Sequence, residues 1–180
     1  MRSPRYTRAN PAVWTAMRVF GIDPGSTVTG FGVVESVRGR VRLIDAGCIR
    51  TSASEPMTER LERIHSGLVA ALKANQPETV AIEAIFHHKN AQSALVLGQA
   101  RGVALLAAAQ CGYDPAAYNP MVVKRTVGAH GRADKKALAK MVCMLLGTEV
   151  EGPADVTDAL AIAITHAAHY RRSRATVGAP

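Results

Sequence analysis

The chain has 180 residues, 48% of them hydrophobic, and its 22 lysines and arginines against 14 acids give a formal net charge of +8. That length supports one sizeable core but not two full-size α/β domains, and no apolar run reaches the roughly 18 to 20 residues of a membrane span. Cys48, Cys111 and Cys143 are scattered, without a C-x-x-C pair, which argues against a structural zinc and for small buried thiols in a reduced, cytoplasmic compartment.

Residues 1–16 carry Arg2, Arg5 and Arg8 with no acid and no apolar run of the secretory type. They read as a disordered basic arm, with Met17 a candidate translation start. Strands are predicted at 18–23, 30–38 and 41–50, with a turn at Gly39-Arg40. Short Val/Ile-rich runs so close together predict an antiparallel meander. Leu61, Ile64, Leu68 and Leu72 form an apolar stripe at helical spacing over 57–74, closed by Pro77. A short buried strand follows over 79–86.

Residues 91–110 predict a long Ala-rich helix stopped by Gly112. Its Gly98 and Gly102 are four apart, a spacing that lets another helix approach closely, within the fold or across a dimer. A strand near 116–118 and helical turns over 120–127 lead to a Gly-rich loop at 128–131. Asp134 can cap the next helix, whose apolar face is Leu138, Met141, Val142 and Leu145 and whose end is Gly147. The last helix begins near Asp155 and is apolar all round, hence buried. Arg171, Arg172 and Arg174 make residues 171–180 a flexible basic tail. With three charges at each end of a chain totalling +8, the body between holds only +2. The pattern is α/β with a mixed sheet, and the domain spans 17–170.

Four carboxylates stand where carboxylates are unfavourable. Asp23 ends an apolar strand, although Asp23-Pro24-Gly25 is also a good turn former. Glu83 lies inside Val80–Phe86, where desolvation is costly without a partner; the alternative is an outward-facing residue on an edge strand. Asp155 and Asp158 are three apart at the head of the last helix and point from one face, and Asp155 alone also suits an N-cap. Two unit charges about 4 Å apart repel by roughly 4 kcal/mol at an effective dielectric of 20. Clustered carboxylates therefore call for cations, and an all-oxygen set favours Mg²⁺ or Mn²⁺ over zinc. Two such ions would activate water and stabilise the leaving oxygen of a phosphodiester.

Gly21-Ile22-Asp23-Pro24-Gly25-Ser26, Thr29-Gly30-Phe31-Gly32 and Ala81-Ile82-Glu83 resemble the RuvC family of Holliday junction resolvases, as do Lys89-Asn90-Ala91, Gly98-Gln99-Ala100-Arg101-Gly102 and the run Asp155 to His166. The resemblance covers 17–169. It implies an RNase H-like fold, a five-stranded mixed sheet flanked by helices, and a homodimer that nicks opposite strands of a four-way DNA junction symmetrically. It also implies catalytic and metal-binding roles for Asp23, Glu83, Asp155 and Asp158, two Mg²⁺ ions per site, and partnership with the RuvA–RuvB branch-migration complex. Lys124 and Lys135 match family positions associated with junction binding and, for Lys124, catalysis.

The same resemblance places an aromatic that stacks on junction bases at Phe86, at about 1–3 kcal/mol per base, against the alternative of a core Phe. His87 and His88 are phosphate contacts or a solvated loop, and Lys89, Arg125 and Arg132 extend the DNA-binding surface. Lys136 and Lys140 fit a solvated helix face equally well. His130 departs from the aliphatic residue expected there. The rival readings are a YqgF-type RNase H-like nuclease acting on RNA and a junction-binding module without catalysis. An actin-like ATPase, suggested by Gly21-Ile22-Asp23, needs two related halves that 180 residues do not supply.

Overall fold

The structure, a computed structural model, describes residues 16–84, 90–128 and 135–177, with side chains described up to 170. The strands β1 (Met17–Asp23), β2 (Val28–Val37) and β3 (Arg40–Arg50) form the expected antiparallel meander. Between β2 and β3, Arg38 and Gly39 both take positive φ, 50° and 88°. This is the two-residue hairpin geometry that matches strand twist. The turn therefore falls one residue earlier than predicted, because Arg40 already pairs with Val37.

The chain continues through α1 (Met57–Asn75), β4 (Thr79–Glu83), α2 (Ala91–Gln110), β5 (Ala116–Tyr118), α3 (Pro120–Thr126), α4 (Lys135–Leu146) and α5 (Ala154–Val177). The sheet order is β3-β2-β1-β4-β5, with β4 parallel to both β1 and β5. Strand alternation sorts the core into two layers. Phe20, Ile22, Val33, Val80 and Ile82 face α1 and α2, whereas Val19, Val34 and Ala81 face α5.

Three local expectations change. In α1 the buried line is Arg60, Ile64, Leu68 and Leu72, so an arginine takes the place given to Leu61. In α4 it is Leu138, Val142 and Leu146 that are buried, and Leu145 is exposed, because i, i+4, i+8 spacing faces α5. The backbone of α5 is helical through Val177, past the boundary set at 170; no proline or glycine interrupts it before Gly178. Residues 1–15, the rest of the arm, and 178–180 lie outside the described residues. The three cysteines are free but half-buried rather than buried. No helix of the described residues is long and apolar enough to cross a membrane.

Candidate active site

Asp23 and Glu83 end two neighbouring parallel strands. The β1–β4 register runs from Val19 opposite Thr79 to Ile22 opposite Ile82, which leaves the two acids next in line at the carboxyl edge of the sheet. Both share the alternation of Val19 and Ala81 and so face α5. Asp23 is the last paired residue of β1, opposite Gly30, and is not a turn residue. Nor is Glu83 on an edge, since β4 lies between β1 and β5.

Glycines bring α5 down onto this edge. Gly21 pairs with Gly32, and Gly30 pairs with Asp23. A Cβ on Gly30 would overlap the Asp155 carbonyl oxygen, one on Gly21 would overlap the Ala159 carbonyl oxygen, and one on Gly32 would collide with Leu160. The three bare positions form a track on which the helix backbone rests directly against the sheet. Asp155 and Asp158 are thereby delivered to Asp23. Helix α5 starts at Ala154, so Asp155 sits inside the first turn rather than capping it.

The electrostatics tie the four groups into one site. Burial pushes the Asp23 carboxyl up to about 8, reinforced by the negative charge of Glu83, Asp158 and Asp155 and by a hydrogen bond with Glu83. Asp23 thus holds a proton at neutral pH when no cation is bound. Burial also raises Asp158, outweighing the opposing pull of Lys135 and Lys124. Lys135 Nζ lies 3.4 Å from Asp158 Oδ2, and the Asp158 carboxylate is the main reason that the Lys135 ammonium titrates above its usual range.

Among the described residues, no three His, Cys, Asp or Glu side chains converge tightly enough to form a ready-made metal cage. The donor chemistry nevertheless fits a hard divalent cation: all four groups are carboxylates, and one of them is held protonated by burial and by neighbouring negative charge that a cation would offset.

Two lysines flank the acids from the α3–α4 side. Half-buried Lys124, from the last turn of α3, acts on the charge of Asp158, and exposed Lys135 opens α4. Arg125, Lys136 and Lys140 are exposed. Phe86, His87, His88, Lys89, His130, Arg132 and the cap expected at Asp134 lie outside the described residues.

Sequence reasoning missed three features around the site. One is the glycine track, whose signal was available: glycines at alternate positions within strands mark close backbone approach. Another is a buried polar cluster in which His166 Nε2 meets Thr79 Oγ1 and Nδ1 meets the Tyr118 hydroxyl, each at 2.9 Å. The third is a pair of arginines, Arg60 and Arg101, behind β1 and β4; nothing in the sequence separates them from solvated ones.

The family model described as "Crossover junction endodeoxyribonuclease RuvC" matches residues 19–166. The RuvC protein of Pelotomaculum thermopropionicum is 46% identical over 159 residues, covering 88% of this chain and 97% of the relative. A structure of Thermus thermophilus RuvC in complex with a Holliday junction substrate is 41% identical with a TM-score of 0.80, covering 87% of this chain and 96% of that one. The yeast mitochondrial Holliday junction resolvase shares the fold at 14% identity, with a TM-score of 0.61 and coverage of 93% and 87%.

Proposed function

The chain belongs to the RuvC family of crossover junction endodeoxyribonucleases, and from that membership we propose that it resolves four-way DNA junctions by paired, symmetric hydrolysis of phosphodiester bonds in opposite strands. The observation that carries the reading is the convergence of Asp23, Glu83, Asp155 and Asp158 at one sheet edge, each contributing to the raised Asp23 titration or titrating there itself.

In this reading the four carboxylates hold two Mg²⁺ ions, with Mn²⁺ able to substitute. When bound, the ions supply an acidified water and neutralise charge on the phosphate. The chain's own residues do the rest. Asp23 and Asp158 would hold the cations as carboxylates, the Asp23 proton passing to solvent, and Lys135, now paired with Asp158, would be placed to meet the backbone phosphate instead. Lys124 sits on the same side to bind the scissile strand. Phe86, His87, His88, Lys89, Arg125 and Arg132 extend the DNA contact. Such phosphate contacts weaken steeply with salt.

Symmetric nicking needs two copies of the site. On α2, Leu95 and Leu106 are 59% and 51% exposed, and a Cβ added at Gly98 or Gly102 would meet no atom within 4 Å. Those four residues lie along one stripe of the helix at 3–4-residue spacing. None of the described residues covers Gly98 or Gly102, so a second copy is the occupant that the stripe fits, which supports a homodimer. Family membership also supports a cytoplasmic location and work alongside the RuvA–RuvB complex.

The test is nicking of a synthetic four-way junction beside a duplex, a fork and single-stranded RNA, in Mg²⁺ and in EDTA. Paired nicks confined to the junction and to Mg²⁺ are expected. Cutting of RNA instead, or tight junction binding without nicks, would overturn the reading.

A further inference from the structure

On the side of the sheet away from the acids, two arginines hold main-chain carbonyls, one of Ser26, three residues after Asp23, and one of Glu83. Arg60, from the first turn of α1, donates from Nη2 and Nε to the Ser26 carbonyl oxygen at 2.6 and 3.2 Å. Thr51 Oγ1 donates to the same oxygen at 2.6 Å, and the Thr51 amide to the Thr27 carbonyl at 2.9 Å. Arg101, from α2, donates from Nε to the carbonyl oxygen of Glu83 itself at 2.9 Å.

The first contact stands out energetically. Arg60 is only 7% exposed, and among the described residues it forms no ion pair. A buried guanidinium facing a carbonyl is a poor way to gain stability, and an apolar side chain would serve α1 better. What the guanidinium offers is a planar fork of two donors that fixes an acceptor in direction as well as distance.

That acceptor matters because of where it sits. Residues 24–27 leave β1 directly after Asp23 and have no ladder partners until Val28. The buried Thr29 hydroxyl, at the start of β2, holds Gly25, donating to its carbonyl at 2.7 Å. Arg60 and Thr51 anchor Ser26 from the other side. The backbone on the exit side of Asp23 is thus held at both ends, and the end of β4 is held by Arg101.

We propose that Arg60 and Arg101 are positioning residues that fix the exits of β1 and β4, so that Asp23 and Glu83 keep the separation at which they share a divalent cation. The proposal rests on the metal reading of the site. Supporting groups of this kind typically change metal affinity by about 10–100-fold when removed.

The experiment is Mn²⁺ binding to the metal-free full-length protein, without DNA, followed by electron paramagnetic resonance. Arg60→Met and Arg101→Met are expected to bind Mn²⁺ about 10-fold more weakly or worse. Arg60→Lys, which keeps the charge but loses the fork, should fall between and guards against Arg60→Met failing to fold. Ile64→Val, one turn along α1, is the control: it should lower the melting temperature and leave Mn²⁺ affinity alone. Junction affinity in EDTA should be unchanged in all four. If Arg60→Lys and Arg101→Met bound Mn²⁺ as wild type does and lost only thermal stability, the arginines would be merely structural. Wild-type protein that took up no Mn²⁺ would overturn the metal reading, and this proposal with it.

Discussion

The carbonyl oxygen of Asp155 stands where a Cβ on Gly30 would have to be, so the strand residue paired with Asp23 touches the first turn of α5 backbone to backbone. This contact sets the depth at which Asp155 and Asp158 enter the site. Gly30→Ala should lift the helix. Overpacking a well-packed core costs about 1–3 kcal/mol, and here the obstacle is main chain, so the upper end is expected. At roughly 2–4 °C per kcal/mol for a chain of this size, the melting temperature should fall on the order of 10 °C. Misplacement of catalytic groups by even about 1 Å can cost about 100-fold in rate. Calorimetry and junction nicking check both numbers, and an active, fully stable Gly30→Ala protein would remove the glycine track from the account.

Asp23→Asn should abolish activity and yet stabilise the metal-free protein. The Asp23 carboxyl titrates at about 8 in the folded chain against an ordinary 3.8. Between those values the unfolded chain releases its proton while the folded one retains it, so stability falls as pH rises through the window and levels off above it. An amide has no proton to lose. In EDTA at pH 8 the variant should therefore melt higher than wild type, with the gap closing toward pH 4. Nicking should drop by at least about 100-fold, and Mg²⁺ should raise the melting temperature of wild type more than that of the variant.

His166 should push the other way. Burial, helped by the charge of His169, lowers its pKa from 6.5. Below about pH 6.5 the unfolded chain takes up a proton that the folded chain refuses, so stability is lost as pH falls from there to the folded pKa. The Asp23 and His166 slopes oppose each other from pH 6.5 down to the folded His166 pKa. The clean measurement is melting temperature against pH in the Asp23→Asn background, with and without His166→Gln. The glutamine variant should flatten the acid-side slope; an unchanged slope would show that His166 does not titrate differently in the fold.

Leu106→Glu should separate the two copies. It places a charge at the C-terminal end of the α2 stripe, where Leu106 is 51% exposed and where Gly102, one turn earlier, leaves open space. Burying an unpaired carboxylate at an interface is costly. Sedimentation should show a dimeric wild type and a monomeric variant, with paired nicking of the junction replaced by single, uncoupled nicks. A wild type that sediments as a monomer would remove the stripe as a dimer face.

Much of this molecule was legible in the sequence, and the reason is local. Alternation, helical periodicity and glycine stops act over a few residues, so the α2 and β5 boundaries fell where predicted. A carboxylate inside an apolar run is conspicuous wherever it ends up, and all four acids could be singled out without knowing that they meet. Family motifs then supplied the chemistry.

What the sequence could not convey was anything that depends on which face of an element meets which neighbour. Leu61 and Arg60 are adjacent in α1, and hydrophobicity favours burying the leucine; only the approach of the Ser26 carbonyl makes the arginine the buried one. Leu145 and Leu146 are likewise indistinguishable until α4 is set against α5. Gly21, Gly30 and Gly32 read as a motif in the chain and as a track only in the sheet, once pairing aligns them under α5. The residue types of the site were thus determined by the sequence. Their shared proton, the Lys135 contact and the clamps behind the strands were decided by tertiary packing, because burial and charge proximity exist only after distant segments meet.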